Sequence, residues 1–310
     1  MGTVISFPSL ESLWLYSMAN LEEWRTVRGR EIFPRLSTLK IKYCPKLVEL
    51  PFIPSITSLD MEENNAMLIR SVMNLTSLSS FRFWEGFRDS TVLPDNLLQN
   101  HKMLTSLDIR GLLNRKSLRI GLENLSALKS LSLDCCNYLE TLLGVQNLHS
   151  LEYLYIQDCK SLMFFPNDVL LGLSSLRTLY IGNCEKFWPS LEGIQYLTTL
   201  EVLRIWGCDE LISLPGIQHL TALRSLRFSC CRGLSSLPKL MGSLTSLSHL
   251  TISYCPNLTS VPEGLQKLTA LKRLIIQGCP NLERRCKKYS GEDWHNIAHI
   301  PHIQIFPGLL

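Results

Sequence analysis

From Leu223 to Leu282 the apolar positions fall into a fixed pattern. The runs LRSLRFSCCRGL, LSHLTISYCPNL and LKRLIIQGCPNL begin at Leu223, Leu247 and Leu271, each 24 residues after the one before. Their shared template is L-x-x-L-x-(L/I/F)-x-x-C-x-x-L. It recurs along the chain, with first residues at Leu10, Leu36, Ile56, Leu78, Leu104, Leu128, Leu151, Leu176, Leu200, Leu223, Leu247 and Leu271. Steps of 20 to 26 residues separate these starts before Leu104, and steps of 23 to 25 follow it. Self-similarity at such a period marks a repeat architecture, so the length of 310 residues does not divide into ordinary globular domains.

Within each unit the L-x-L core, as in Leu226-Arg227-Phe228 or Leu250-Thr251-Ile252, alternates apolar and variable residues with period two. That is the pattern of a strand buried on one side. The expected fold is an α/β repeat solenoid of about twelve coils over residues 1–282, one short parallel strand per coil. A C-terminal cap is expected over 283–310, with Trp294, Ile297, Ile300, Ile303 and Ile305 covering the last coil and Arg284, Arg285, Lys287 and Lys288 in water. One coil cannot bury enough apolar surface alone, so the coils must stack and the ends need covers. The first template starts only a few residues after Met1, and the reading there is a piece of a longer protein or a first coil that frays.

Three positions past each strand core stands a ladder residue: Cys44, Cys136, Cys159, Cys184, Cys208, Cys231, Cys255 and Cys279, with Asn64 in the third unit. Met18, Gly86 and Leu112 occupy the place in the other three. A buried thiol donates weakly to backbone carbonyls where the chain leaves a strand, and Asn does so more fully. Stacked at strand spacing, neighbouring ladder thiols are expected within bridging reach, making adjacent-coil oxidation a storage artefact. Return arms also repeat, as GVQNLHSL from Gly144, GIQYLTTL from Gly193, GIQHLTAL from Gly216 and GLQKLTAL from Gly264. Leu50-Pro51, Leu214-Pro215, Leu237-Pro238 and Val261-Pro262 turn the chain beforehand, so short 3₁₀ or single-turn helices are expected on the outer side.

Charge changes the picture little. Thirty-one Lys and Arg stand against 27 Asp and Glu, a net of +4, without the clustered excess of a nucleic-acid binder. Eight of the 11 cysteines occupy the ladder position, which makes them packing residues and points to a reducing compartment. No run of about 18 apolar residues is present, and MGTVISFPSL lacks a secretory signal's basic and apolar regions. Gly2 and Ser6 match the M-G-x-x-x-S acylation pattern, which is short enough to arise by chance.

Several runs resemble a known family. NLEEW (Asn20 to Trp24), EIFPRLSTLKIKYCPKLVELP (Glu31 to Pro51), the repeated CPNL and GEDWHNIAHIP (Gly291 to Pro301) are similar to the C-terminal leucine-rich-repeat region of plant nucleotide-binding leucine-rich-repeat immune receptors of the coiled-coil type. The resemblance implies a horseshoe with a parallel sheet on its concave face. It also implies a module that senses pathogen effectors or modified host proteins and restrains the receptor's own nucleotide-binding domain, in the cytoplasm or nucleus. No G-x-x-x-x-G-K-[ST] loop occurs, so the nucleotide switch itself is missing. The G-x-I-P signature of the plant extracellular repeat is also missing, which favours the cytosolic branch.

Outward strand positions carry the candidate partner face: Trp14, Tyr16, Lys40, Lys42, Arg82, Trp84, Tyr153, Tyr155, Tyr180, Arg204, Trp206, Arg227, Tyr254 and Arg273. Tyr, Trp and Arg dominate interface hot spots because they bury much area at modest entropic cost. Over the last five units Arg177, Arg204, Arg224, Arg227, Lys272 and Arg273 stand against Glu201, an excess of five that points to an acidic partner.

Other motifs are weaker. His295, His299 and His302 hold metal-like spacing, but Asn296 stands where a zinc protease needs Glu, and cap packing explains them better. The run RRCKK, Arg284 to Lys288, is a short basic cluster of the kind read as a nuclear address. Asn74, Asn124 and Asn257 begin sequons that follow from the N-L-T and N-L-S repeat chemistry. No Ser/His/Asp or Cys/His arrangement stands out, so the chain reads as a non-enzymatic protein-binding module without cofactor or metal. A substrate adaptor of a ubiquitin ligase and a secreted receptor ectodomain remain as alternatives.

Overall fold

The computed structural model describes residues 7–25, 32–84, 93–112, 115–163, 167–186 and 193–308, with backbone alone over 167–169. Gly2, Ser6 and Gly86 lie outside these. The chain divides into two compact units, Met1–Leu151 and Glu152–Leu310. In the first, β1 (Ser12–Tyr16), β2 (Thr38–Lys42), β3 (Ser58–Glu62), β4 (Ser80–Trp84), β5 (Ser106–Arg110) and β6 (Ser130–Asp134) pair in parallel in chain order. In the second, β7 (Tyr153–Gln157), β8 (Thr178–Gly182), β9 (Val202–Trp206), β10 (Ser225–Ser229), β11 (His249–Ser253), β12 (Arg273–Gln277) and β13 (His302–Phe306) do the same. Register is invariant: template position pairs with template position, so Leu203, Leu226, Leu250 and Leu274 align. Each unit is a stack of coils.

The first template leucine and the two strand-core residues of each described coil from Leu36 onward lie at 7 % exposure or less. Coil β1 differs, because Leu13 and Leu15 remain half-buried. A thirteenth strand was not expected from the sequence. Residues 302–306 do more than cover the last coil: they extend the sheet, and Ile303 and Ile305, in register with the core residues Leu274 and Ile276, remain half-buried.

Why each strand stops after five residues is visible in the backbone. The residue after β1 to β3 and after β5 to β12 has positive φ: Ser17, Tyr43, Glu63, Gly111, Cys135, Asp158, Asn183, Gly207, Cys230, Tyr254 and Gly278 all do. That left-handed step turns the chain inward. In most coils its N–H still donates to the next strand, as Tyr43 does to Glu62 at 2.9 Å and Asn183 to Trp206 at 2.9 Å. The next residue is the ladder residue. Cys231 Sγ donates to the carbonyls of Ser229 and Ile205 at 3.4 and 3.9 Å, and Cys279 Sγ to those of Gln277 and Ile252 at 3.4 and 3.8 Å. Asn64 makes the stronger version, donating to Ile41 at 2.7 Å and accepting from the Cys44 N–H at 3.1 Å.

All eleven cysteines are free thiols. Cys255 lies between Cys231 and Cys279, and its thiol contacts with them together with burial push its pKa up. Burial first, and then the nearby Asp293 carboxylate, drive Cys286 up to about 12.

Return arms take the expected short helices, at Ala66–Asn74, Leu122–Asn124, Val145–Asn147, Ile217–His219, Lys239–Ser243 and Glu263–Lys267. Two entries serve them. Gly144 and Gly216 enter with φ of 98° and 87°, a left-handed step that suits glycine. Pro238 and Pro262 enter extended instead. The α-helical turns are α1 (Asn167–Gly172), α2 (Pro280–Arg285) and α3 (Trp294–Ile297). Among the described residues no helix is long and apolar enough to cross a membrane.

Asp293 fixes the cap. Buried to 4 % exposure, it accepts from the Val261 N–H at 3.1 Å and from Arg285 at 2.6 and 2.9 Å. Arg285 is therefore turned toward protein rather than water, and Arg284 meets Glu292 at 3.6 Å. Asn296 bonds Gln266 at 2.7 Å, and His299 meets the Leu268 carbonyl at 3.3 Å. These contacts give the GEDWHNIAHIP run a structural task. The sequon residue Asn257 has one too, donating to the Arg232 carbonyl of the previous coil at 2.8 Å.

Candidate recognition face

Side chains at the third, fifth and seventh template positions leave the sheet on the side away from the leucine core. Lys40, Asp60, Arg82 and Asp108 follow one another at the fifth position across β2 to β5, and the register places each beside the next. Opposite charges on neighbouring strands attract. Arg82 meets Asp108 at 3.0 Å and Asp60 at 3.7 Å, Lys42 meets Glu62 at 2.5 Å and Asp60 at 3.7 Å, and Arg110 meets Asp108 at 3.4 Å. Arg82 and Lys42 are thus neutralised within the face.

Glu62, 7 % exposed, is the anchor of this network. Burial would raise its pKa, but hydrogen bonds from Lys42 and Tyr43 outweigh that and hold it below the ordinary value. Tyr43 donates its phenol to Glu62 at 2.6 Å, which pushes the phenol up to about 12. At the end of the sheet, Trp14 and Tyr16 are 66 % and 65 % exposed. Lys40 Nζ lies 4.4 Å from the Trp14 ring centroid, and Tyr16 meets Tyr43 edge-on at 5.4 Å. Trp84 closes β4 half-buried.

The second unit's face has a different composition. Tyr155, Tyr180, Arg204 and Arg227 are consecutive at the fifth position across β7 to β10. Tyr155 meets Tyr180 edge-on at 6.2 Å and Trp206 at 5.9 Å, and the Arg204 guanidinium lies 4.9 Å from the Tyr180 centroid. Tyr155 also donates its phenol to Gln157. Gly182 makes the cluster possible. A Cβ there would stand 1.9 Å from Cε2 of Trp206, so the indole lies over bare backbone and thereby reaches Tyr155.

Among the described residues, no carboxylate approaches Arg204, Arg227 or Arg273 within salt-bridge distance. Arg227 donates only to Ser229 Oγ, at 3.1 Å. Glu201, the one acid set against the six cations in the sequence, is shared by Arg177 and Arg224 just before the strands, which leaves the strand arginines without it.

Comparisons place this geometry among known proteins. No family model matches the chain. The putative disease resistance protein RGA4 of Solanum bulbocastanum is 34 % identical over 104 residues, 33 % of this chain and 10 % of that protein. RGA1 of the same plant is 29 % identical over 116 residues, 37 % of this chain and 12 % of its own. A probable disease resistance protein of Arabidopsis thaliana, At4g19520, is 26 % identical over 188 residues, 57 % of this chain and 10 % of its own. The chain therefore spans about a tenth of the length of these relatives. Among solved structures, an internalin of Listeria monocytogenes superposes with a TM-score of 0.54 at 15 % identity over 97 % of this chain and 83 % of its own. A Toll–Spätzle complex of Drosophila gives 0.57 at 16 % identity over 87 % of this chain and 40 % of the other.

The fold is a leucine-rich-repeat solenoid. Its homologues are plant disease resistance proteins, in agreement with the resemblance carried by the N-terminal runs and the cap.

Thirteen of the fourteen candidate face residues stand at outward strand positions of this leucine-rich-repeat sheet. Tyr254 does not. It is the left-handed residue after β11, with φ of 54°, its ring packs over Gly278, and its hydroxyl accepts from Gln277 at 3.1 Å. Outward positions of β11 are His249, Thr251 and Ser253. Tyr153 and Arg273 lie at the third template position, on β7 and β12, rather than inside the ring cluster. The sequence reading missed Asp60, Glu62 and Asp108 as partners of Lys42 and Arg82, and it missed Gly182. Both were within reach: the acids occupy the same template positions as the cations, and glycine is an odd occupant of an outward strand site.

Proposed function

We propose that this chain is the ligand-reading part of a plant intracellular immune receptor, and that the strand face of the second unit receives a protein partner: a pathogen effector or a modified host protein. The observation that carries this reading is the ring cluster of Tyr155, Tyr180 and Trp206 beside Arg204, held at a solvent-facing sheet surface where no core requires it. Large rings and guanidinium groups concentrate at binding hot spots. Kinship with disease resistance proteins supports the immune setting. In a full receptor the same module would also restrain the nucleotide-binding domain until the partner arrives.

The test is differential capture from plant tissue. Tagged wild type, a Trp206→Ala/Arg227→Glu variant and an Ile212→Ala control would be compared, Ile212 being 65 % exposed but off the strand face. A protein retained by wild type and control and lost from the face variant is expected. Identical capture by all three would refute the assignment.

A further inference from the structure

We infer that the partner of the second unit's face is an extended acidic segment of a protein, reading as a large apolar residue with a carboxylate two positions away. This inference rests on the proposed recognition face and names the chemistry it accepts. Arg204 and Arg227 stand directly opposite one another on β9 and β10, both exposed. Like charges so placed repel, and arginine cannot relieve the repulsion by losing its proton. The first unit answers Lys42, Arg82 and Arg110 in its strands with Asp or Glu, and its Lys40 lies over the Trp14 ring. From β7 to β13 the outward strand positions hold no Asp or Glu at all. An anion is the missing member of this face, and it must come from outside.

Spacing defines the ligand further. Strands stand about 4.8 Å apart, so the midpoint of the Arg204 and Arg227 strands lies about 7 Å from β8, where the ring cluster centres. An extended chain crossing the strands covers that distance in about two residues, at about 3.3 Å each. Residues two apart on an extended chain point the same way. One side chain therefore settles on the Trp206, Tyr180 and Tyr155 rings while its neighbour two positions on sets a carboxylate between the two guanidinium groups. Arg273 stands two strands beyond Arg227, about 12 Å from that midpoint, which suits a second acid about four residues further along and on the same side of the peptide. Three arginines and no continuous basic track favour a peptide over a nucleic-acid backbone.

A twelve-residue random library displayed on phage and selected against the immobilised full chain would test this, with Arg204→Glu/Arg227→Glu and Trp206→Ala variants in parallel. Wild type is expected to enrich sequences with an aromatic or large aliphatic residue two positions from Asp or Glu. Synthetic peptides from that pool should lose about tenfold or more in affinity on Arg204→Glu/Arg227→Glu, and on replacement of their own acids by Asn or Gln. A pool that depends on Trp206 but carries no acidic preference would overturn this inference and leave the recognition face standing. Enrichment that neither variant alters, or none above bare support, would overturn both. Displacement of the peptides by an equal concentration of oligo-dT would overturn the acidic-protein assignment in favour of a nucleic acid.

Discussion

The faces of the two units are carried by the same five-residue strands in the same register, yet they differ in how charge is settled. Across β2 to β5 the fifth template position reads Lys40, Asp60, Arg82, Asp108, and the chain neutralises itself. Across β7 to β10 the same position reads Tyr155, Tyr180, Arg204, Arg227, and nothing described neutralises it. An internally paired surface has little to gain from a new charge, because each ion would have to abandon a partner. An unpaired one gains the whole interaction. Repeat architecture allows this division, since each coil's stability comes from its leucines and its neighbours and leaves the outward side chains free to differ.

The largest effect should therefore be the one that does not distinguish the units. Leu107 and Leu226 are each 1 % exposed at equivalent template positions. Leu107→Ala and Leu226→Ala should each cost about 2–5 kcal/mol by urea denaturation. A neutral result for either would mean that the core is not shared as the register implies.

Next comes a substitution that should separate the faces. Glu62→Ala strips a largely buried acceptor from Lys42 and Tyr43 and should cost about 1–3 kcal/mol. Arg227→Glu, on an exposed side chain with no carboxylate partner, should stay within about 0.5 kcal/mol. Equal losses would erase the distinction between a structural and a receptive face.

Acid should weaken the first unit before the second. His101 is fully buried, its Nε2 meets the Val72 carbonyl at 3.0 Å, and its Nδ1 has no partner. Burial holds its pKa below the ordinary 6.5. As pH falls through 6.5 the unfolded chain takes a proton that the folded chain refuses, so stability declines until the folded pKa is reached. Glu62 adds a second loss lower down, because its folded pKa is depressed and its contribution fades as pH falls from the ordinary carboxylate value. His101→Gln should flatten the upper part of the profile, read as unfolding midpoint against pH between about 7.5 and 5.5. An unchanged slope would remove His101 from the account. The second unit's histidines are all exposed.

What the sequence disclosed followed from periodicity. The twelve strand positions, the buried leucines and the thiol ladder repeat often enough to be read without coordinates, and the substitution of Asn64 for cysteine was interpretable from donor strength alone. Strand β13 escaped because HIQIF belongs to no template copy and has no ladder residue after it. The left-handed step escaped because Ser, Tyr, Glu, Cys, Asp, Asn and Gly all fill it, so composition carries no mark of the conformation. Tyr254 was misplaced for that reason. On the face, a search for rings and cations passed over the acids between them, although Arg82 and Asp108 are partners only because 26 residues bring the same template position round again.

The smallest expected effect tests the receptive face most directly. Gly182 leaves space that the Trp206 indole fills, and Ala at that position would have to push the ring outward. The ring is the far end of a side chain at the surface, so the unfolding midpoint should hardly move. Its emission should change, because the indole would leave Tyr155 and meet more water. The chain holds six tryptophans, so the signal needs isolation. Gly182→Ala should alter the emission spectrum in the parent and leave it unaltered in a Trp206→Phe background. A spectral change of equal size in both would mean that another indole reports the substitution and that Gly182 does not seat Trp206. Were the spectrum to shift as expected while affinity for selected peptides stayed the same, the rings would be packing ornaments of the sheet, and recognition would rest on the arginines alone.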